Sequence, residues 1–205
     1  MRQAGKRIHV IGNSASGKST LAAELADALD APLVELDAIN WQPGWVGLNT
    51  ADPDEFERRI REATRRERWV VAGSYRKVSQ RTFWPRLDTV VWLDLPLRLV
   101  VWRFLRRAWK RWRSGELIWG TNRERFWAQF RIWSKDQSLL AWIITQHGRK
   151  RRDMVRDMSD RRWTHIRFVR LRSTREVAEF GGSRWSPRRA PDTLHGGEPT
   201  ARDLE

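Results

Sequence analysis

Residues 7–20 read RIHVIGNSASGKST, and most of the fold follows from them. The first five residues form a short apolar run that predicts a β-strand. GNSASGKST then has the G-x-x-x-x-G-K-[ST] spacing of a phosphate-binding loop. From Lys18 onward the apolar side chains Leu21, Leu25 and Leu29 recur every four positions, which predicts a helix over Lys18–Leu29. A strand, a glycine-rich loop and a helix therefore follow one another as a phosphate loop requires.

The loop predicts binding of a nucleoside triphosphate, with ATP and Mg2+ as the expected cofactors. Its glycines allow the backbone to curl so that successive N–H groups point at phosphate oxygens. Lys18 is expected to reach the β and γ phosphates, and the hydroxyl of Ser19 to ligate magnesium. The positive end of the following helix faces the same phosphates. The predicted nucleotide-binding residues are Gly12, Asn13, Ser14, Ala15, Ser16, Gly17, Lys18, Ser19 and Thr20.

Further apolar runs alternate with helical stretches along the chain. The runs lie at 32–36, 68–73, 89–95 and 164–171, and a charged stretch at 52–68 reads as a helix. Strands separated by helices are typical of an α/β fold with a parallel sheet. We predict a P-loop NTPase three-layer sandwich.

A long basic region and a polar end complete the predicted organisation. The region from about 97 to 158 reads as helical and includes a lid, with a break at Ser114 and Gly115. The last residues, 181–205, contain Gly, Pro, Ser and Arg with little to bury, which predicts a disordered tail. The predicted domain is therefore 1–180, followed by the tail.

Composition sets broad limits on function. The 205-residue chain carries a formal net charge of +15 and has no Cys, which excludes a disulfide framework and thiolate zinc sites. The charge favours phosphates, nucleic acid and anionic lipid, although solvated arginine faces account for it equally well. No signal peptide or membrane-spanning run is evident, so we expect a cytoplasmic protein with no membrane partner.

The chain resembles the adenylate-kinase-like P-loop kinases, and more closely their subgroup of DNA topology modulation proteins. The resemblance covers about residues 6–180. It rests on GNSASGKST, LDAINWQPGW at 36–45, AGSY at 72–75, VVWLDLP at 90–96, the arginine-rich helix and GTNRERF at 120–126. It implies a five-stranded parallel sheet of order 2-3-1-4-5, an acceptor-binding region after strand two, an arginine-bearing lid and phosphoryl transfer from ATP.

Two acidic positions are candidates for chemistry beside the loop. Asp37 follows strand two, where ligands collect in such sheets, so it is expected to orient an acceptor, accept its proton or hold magnesium. Related kinases often carry an Asp at the end of strand three, but here that position is Ala72. Asp94, at the end of strand four, is the alternative metal partner, or it caps the next helix.

Arginines of the basic region are the expected lid residues. Arg103 and Arg107 lie one helical turn apart, and Arg123 and Arg125 follow the break. Guanidinium groups suit phosphate because they donate two parallel hydrogen bonds and stay charged. The predicted catalytic residues are Lys18, Asp37, Arg103, Arg107 and Arg123, and the predicted magnesium-binding residues are Ser19 and Asp37.

Three functions are compatible with these features. The first is a kinase for a small acceptor, with a nucleoside monophosphate as the most natural choice. The second is a nucleic-acid-associated ATPase or DNA topology modulation regulator, which the interleaved Trp and Arg residues from Trp102 to Trp133 favour. The third is a nucleotide-binding regulator that has lost catalysis, as Ala72 suggests. The aromatic segment Trp41–Trp45 reads either as a wall for an acceptor ring or as a packed loop.

Overall fold

The computed structural model describes residues 5–114, 117–118, 122–123 and 139–183. The strands of these residues, in chain order, are β1 (Arg7–Gly12), β2 (Leu33–Glu35), β3 (Trp41–Gln42), β4 (Val46–Gly47), β5 (Trp69–Ala72), β6 (Thr89–Leu93), β7 (Leu117–Ile118), β8 (Asn122–Arg123) and β9 (Arg167–Leu171). The helices are α1 (Lys18–Leu29), α2 (Leu36–Asn40), α3 (Leu48–Ala51), α4 (Pro53–Ala63), α5 (Arg76–Thr82), α6 (Leu97–Ser114), α7 (Leu139–Met158) and α8 (Thr174–Ser183). In this part of the chain, no helix has the length and apolar character needed to cross a membrane.

Five of the strands form one parallel sheet in the order β2-β5-β1-β6-β9. Counted along the chain without the short ladders, this order is 2-3-1-4-5. The predicted α/β fold class is therefore confirmed, and helix α1 has the predicted bounds. Two separate antiparallel sheets of two short strands each, β3-β4 and β7-β8, were not predicted.

Helices cover both faces of the sheet and bury two apolar layers. One layer joins the sheet to α1, α6, α7 and α8, and includes Leu25, Phe104 and Ile143. The other packs Phe56 of α4 against the far face of the sheet. It also contains the fully buried Trp84, so part of the high tryptophan content serves the core. The molecule thus has the three layers expected of a sheet buried on both sides.

The basic region differs from the prediction in one respect. Helix α6 ends at Ser114, where the break was predicted, but β7 and β8 then pair with each other before α7 begins. The region from 97 to 158 is therefore not helical throughout. At the other end, α8 continues to Ser183 and crosses the predicted start of the tail. Residues 184–205 lie outside the described part of the chain, and disorder there stays a prediction.

A buried histidine connects the central strand to the turn after β5. His9 is fully buried. Its Nε2 lies 3.0 Å from the carbonyl oxygen of Gly73, and Trp84 donates its indole N–H to Nδ1 at 3.0 Å. Since Nδ1 accepts, Nε2 carries the proton and donates to Gly73. Burial lowers the pKa of His9 to about 3, which keeps the ring neutral.

This histidine should make the protein sensitive to acid. The unfolded chain binds a proton near pH 6.5, whereas the folded chain resists it until about pH 3. Stability is therefore fully present above the unfolded pKa and falls by about 1.4 kcal/mol per pH unit below it. His9→Gln should remove one proton from the pH dependence of the free energy of unfolding, measured by urea titration from pH 7 to 4. Parallel profiles for the wild type and the variant would contradict this assignment.

Candidate active site

The backbone of the phosphate loop takes left-handed conformations at two positions. Gly17 has φ 96° and Ala15 has φ 61°, both in the left-handed region. Inside the loop, the N–H of Ser16 donates to the carbonyl of Asn13 at 3.2 Å. The side-chain oxygen of Asn13 accepts from the N–H of Ser14 at 2.9 Å. These bonds hold the loop in a curled form.

The loop has the properties of a phosphate cradle. No side chain caps the N-terminus of α1, so the free N–H groups of its first turn face the loop. The hydroxyl oxygen of Ser16 is buried and has no hydrogen-bond partner among the described residues. Gly12 closes the loop so tightly that an added Cβ would lie 2.4 Å from that oxygen. Unsatisfied donors at a helix N-terminus fit phosphate oxygens, so the residues present suit the nucleotide that the sequence predicts.

Lys18 and Asp37 lie next to each other at the mouth of the loop. Their Nζ and Oδ2 atoms are 3.4 Å apart, and the exposed side-chain fractions are 13% and 34%. Strand β2 ends at Glu35, so Asp37 lies in the first turn of α2 rather than on the strand. Because this ion pair is partly exposed, a phosphate group can reach Lys18 and replace Asp37 as its anionic partner.

The predicted magnesium-binding residues differ in their surroundings. Ser19 is exposed in the first turn of α1, beside the phosphate cradle. Asp37 is engaged by Lys18. Lys18 approaches Oδ2 of this carboxylate, so any metal ion or metal-bound water held by Asp37 would lie beside the lysine.

A cleft of about 480 Å³ opens from the loop between α5, α7 and the carboxyl ends of β1 and β6. Asn13, Tyr75 and Asp94 contribute to its wall. Burial and the negative charge of nearby Asp37 raise the pKa of Tyr75, which keeps its hydroxyl protonated. The cleft is therefore bounded by polar groups that belong to three different strand ends.

Helix α6 brings two of the predicted arginines to the phosphate loop. Arg103 donates to the carbonyl of Ser16 at 3.1 Å and to the hydroxyl of Thr174 at 3.5 Å. Arg107 donates to the hydroxyl of Ser14 at 3.4 Å. Both guanidinium groups thus contact the loop from the helix that precedes the lid region.

The other two predicted lid arginines have side chains that lie outside the described part of the structure. Arg123 belongs to β8, of which the structure describes the backbone. Arg125 lies outside the described residues, as do Trp119, Trp127 and Trp133. A role for any of these side chains stays a prediction.

Asp94 does not suit the alternative role of metal ligand. Its side chain is only 4% exposed, and Arg170 donates to its Oδ2 from Nε at 2.9 Å and from Nη2 at 2.6 Å. Arg151 of α7 approaches the same oxygen at 3.4 Å. The guanidinium of Arg170 also stacks over Trp92, 4.5 Å from the ring centroid. Two cations neutralise this carboxylate, which ties β9 and α7 to the end of β6.

Ala72, at the end of β5, occupies the position where related kinases often carry an Asp, and its surroundings are apolar. Ala72 is 2% exposed and belongs to the apolar layer that contains Leu21 and Val10. No acidic group takes the strand-three position, and Asp37 is the carboxylate that contacts Lys18.

The aromatic segment after α2 forms a small hairpin. Strands β3 and β4 pair through Trp41 with Gly47, and the turn Pro43–Trp45 connects them. The rings of Trp41 and Trp45 contact each other edge to face at 5.7 Å. Neither ring lines the main cleft, and β8 lies beside the turn. This arrangement favours the packed loop over the wall for an acceptor ring.

Lys150 of α7 is a cleft residue that sequence reasoning missed. It lines the cleft, and its Nζ lies 3.7 Å from the ring centroid of Trp142. In the sequence it is one of four consecutive basic residues, 149–152, and nothing in that run distinguishes it.

The fold combines a parallel sheet of order 2-3-1-4-5 with the phosphate loop directly after its central strand. No protein-family model matches the chain, and no curated protein sequence does.

Solved structures with a similar arrangement include three kinases. A gluconokinase from Sinorhizobium meliloti 1021 is 19% identical, with 87% of this chain and 88% of that one covered and a TM-score of 0.47. A sugar kinase from Janibacter sp. HTCC2649 is 18% identical, with 86% and 92% covered and a TM-score of 0.49. A shikimate kinase from Bacteroides thetaiotaomicron is 18% identical, with 87% and 95% covered and a TM-score of 0.48.

The tight closure of the loop gives a direct test of the cradle. In Gly12→Ala the new Cβ would meet the Ser16 hydroxyl at 2.4 Å and Leu93 Cβ at 3.2 Å, so the loop has to open. We expect ATP affinity, measured by isothermal titration calorimetry, to fall about tenfold or more because the N–H groups lose their common centre. Gly182→Ala is the matched control, since an added Cβ there has nothing within 4 Å. Equal affinity in both variants would contradict the cradle.

Proposed function

We propose that this protein is a kinase that transfers the γ-phosphoryl group of Mg-ATP to a small acceptor, with a nucleoside monophosphate as the first candidate. The observation that carries the proposal is the contact between Lys18 and Asp37 at 3.4 Å. It brings Lys18, which is expected to bind the phosphates of ATP, next to Asp37, the carboxylate expected to bind the acceptor. We also propose that the protein belongs to the subgroup of DNA topology modulation proteins that its sequence resembles.

The proposed reaction divides its tasks among the residues of the site. Lys18 and the first turn of α1 hold the β and γ phosphates, while Arg103 and Arg107 approach the loop from α6. An acceptor oxygen attacks the γ-phosphorus as the bond to the bridging β oxygen breaks, and ADP leaves. A hydroxyl acceptor passes its proton to Asp37. A phosphate acceptor needs no base, and Asp37 then orients it or holds magnesium.

A transfer assay tests this proposal. The protein is incubated with Mg-ATP and a panel of nucleosides, nucleoside monophosphates and small hydroxyl metabolites, and products are identified by mass spectrometry. Lys18→Ala should reduce transfer about a hundredfold or more, because the developing phosphate charge loses its cation. Asp37→Asn should also reduce it about a hundredfold or more with a hydroxyl acceptor. Asp27→Asn, an exposed carboxylate on α1, is the matched control. ATP binding without a phosphorylated product would defeat the kinase proposal.

A nucleic-acid-associated ATPase is the second candidate. Helix α6 contains no acidic residue, and its Trp102 is 57% exposed with the guanidinium of Arg106 5.4 Å from the ring centroid. An exposed ring beside a cation is a common platform for unpaired bases.

The two candidates separate by experiment. The kinase proposal predicts that single-stranded DNA leaves the ATP hydrolysis rate unchanged. DNA-stimulated hydrolysis that disappears in Trp102→Ala, together with DNA binding that weakens steeply with salt, would favour the second candidate.

A further inference from the structure

Helix α7 places a lysine in the wall of the cleft that opens beside the phosphate loop. Lys150 shares this wall with Asn13 of the loop and with Tyr75. Helix α7 itself contacts the loop, because Asn13 donates to the carbonyl of Ile143 at 3.3 Å. Its ammonium lies over the ring of Trp142, two helical turns earlier, at 3.7 Å from the centroid. A cation–π contact of this kind holds the protonated form of a lysine in place without a carboxylate partner.

Both members of the ion pair act on this ammonium. The charge of Lys18 disfavours the protonated form of Lys150, and the charge of Asp37 favours it. Burial is the largest cause of the shift, and with the charge of Lys18 it outweighs the opposing effect of Asp37 and lowers the pKa of Lys150 to about 7. Among the described residues no carboxylate lies within ion-pair distance of Lys150, because Asp37 is taken by Lys18 and Asp94 by Arg170 and Arg151.

Lys18 and Lys150 interact with one shared carboxylate, Asp37, so that the protonated forms of both lysines leave an excess of positive charge beside the phosphate loop. Such an arrangement is unfavourable in a half-buried place unless an anion joins it. A phosphate group placed near the ion pair would be in reach of both ammonium groups. In a bound nucleoside triphosphate, the γ phosphate is the phosphate expected to contact Lys18 and also to face the acceptor.

We propose that Lys150 is a second phosphate-binding lysine of this site, and that its ammonium contacts the terminal phosphate of the bound nucleotide together with Lys18. Trp142 positions the Lys150 side chain. Because the proposed function supplies the nucleotide, this assignment rests on it. The motif residues alone account for the β phosphate, so the contribution of Lys150 is specific to the γ phosphate.

Comparison of a triphosphate with a diphosphate isolates this contribution. Affinities for ADP and for the non-hydrolysable β,γ-imido analogue of ATP are measured by calorimetry with magnesium. Lys150→Gln should weaken binding of the analogue about tenfold, the usual effect of one charge-assisted contact, and should change ADP affinity by less than about threefold. Lys150→Arg, which keeps the charge, should recover most of the loss.

Two further variants separate this role from packing. Arg152→Gln alters an exposed cation on the same helix that does not line the cleft, so it should change neither affinity. Trp142→Leu removes the aromatic contact but keeps the lysine, and should preserve the preference for the triphosphate. If Lys150→Gln unfolds, Lys150→Met and Lys150→Arg carry the same comparison.

The outcomes distinguish this proposal from the proposed function. An unchanged ratio of triphosphate to diphosphate affinity in a folded Lys150→Gln or Lys150→Met variant would overturn the role of Lys150, even if the wild type transfers phosphate. A wild type that binds the triphosphate through Lys18 and Lys150 but phosphorylates no acceptor would overturn the kinase proposal and support the second lysine.

Discussion

The charge of Lys18 has to be balanced where its side chain is only 13% exposed to water, and Asp37 provides the balance at 3.4 Å. The rest of the site is arranged around this pair. The loop supplies unsatisfied N–H donors on one side, and Tyr75 lies near the carboxylate on the other. Because each partner is only partly exposed, removal of either one leaves a poorly solvated charge. The ion pair thus keeps the ligand-free site intact while its lysine remains exchangeable.

The parallel sheet explains why so many polar groups meet at one edge. All five strands point the same way, so their carboxyl ends and the segments that follow them lie together. The hydroxyl of Ser74, after β5, donates to the carbonyl of Gly12 at 2.7 Å and joins two of these segments. Asp94, after β6, joins two more through its arginine partners. Polar contacts therefore hold together the segments at the carboxyl ends of the strands.

Sequence patterns predicted what is local. The phosphate loop, the five sheet strands and the start of α4, where Asp52 accepts from the N–H of Glu55 at 3.0 Å, all follow from short stretches. The sheet order came from the family resemblance rather than from any pattern. The partners of Asp94 were not predictable, because Arg170 lies 76 residues further along the chain. Three of the four consecutive basic residues at 149–152 line the cleft, and only Lys150 of these lies over the ring of Trp142. This selection depends on how α7 packs, which periodicity alone does not predict.

The phosphate loop also fastens the two long helices beside it. Arg103 and Arg107 attach α6, and the side-chain amide of Asn13 donates to the carbonyl of Ile143 in α7 at 3.3 Å. The segment between these helices, residues 115–138, is thus bounded by anchored ends. Closure entropy grows only with the logarithm of length, so doubling such a segment costs about 0.6 kcal/mol. A change in the length of this segment would therefore leave the phosphate loop in place, because the helices on either side keep their own contacts with it.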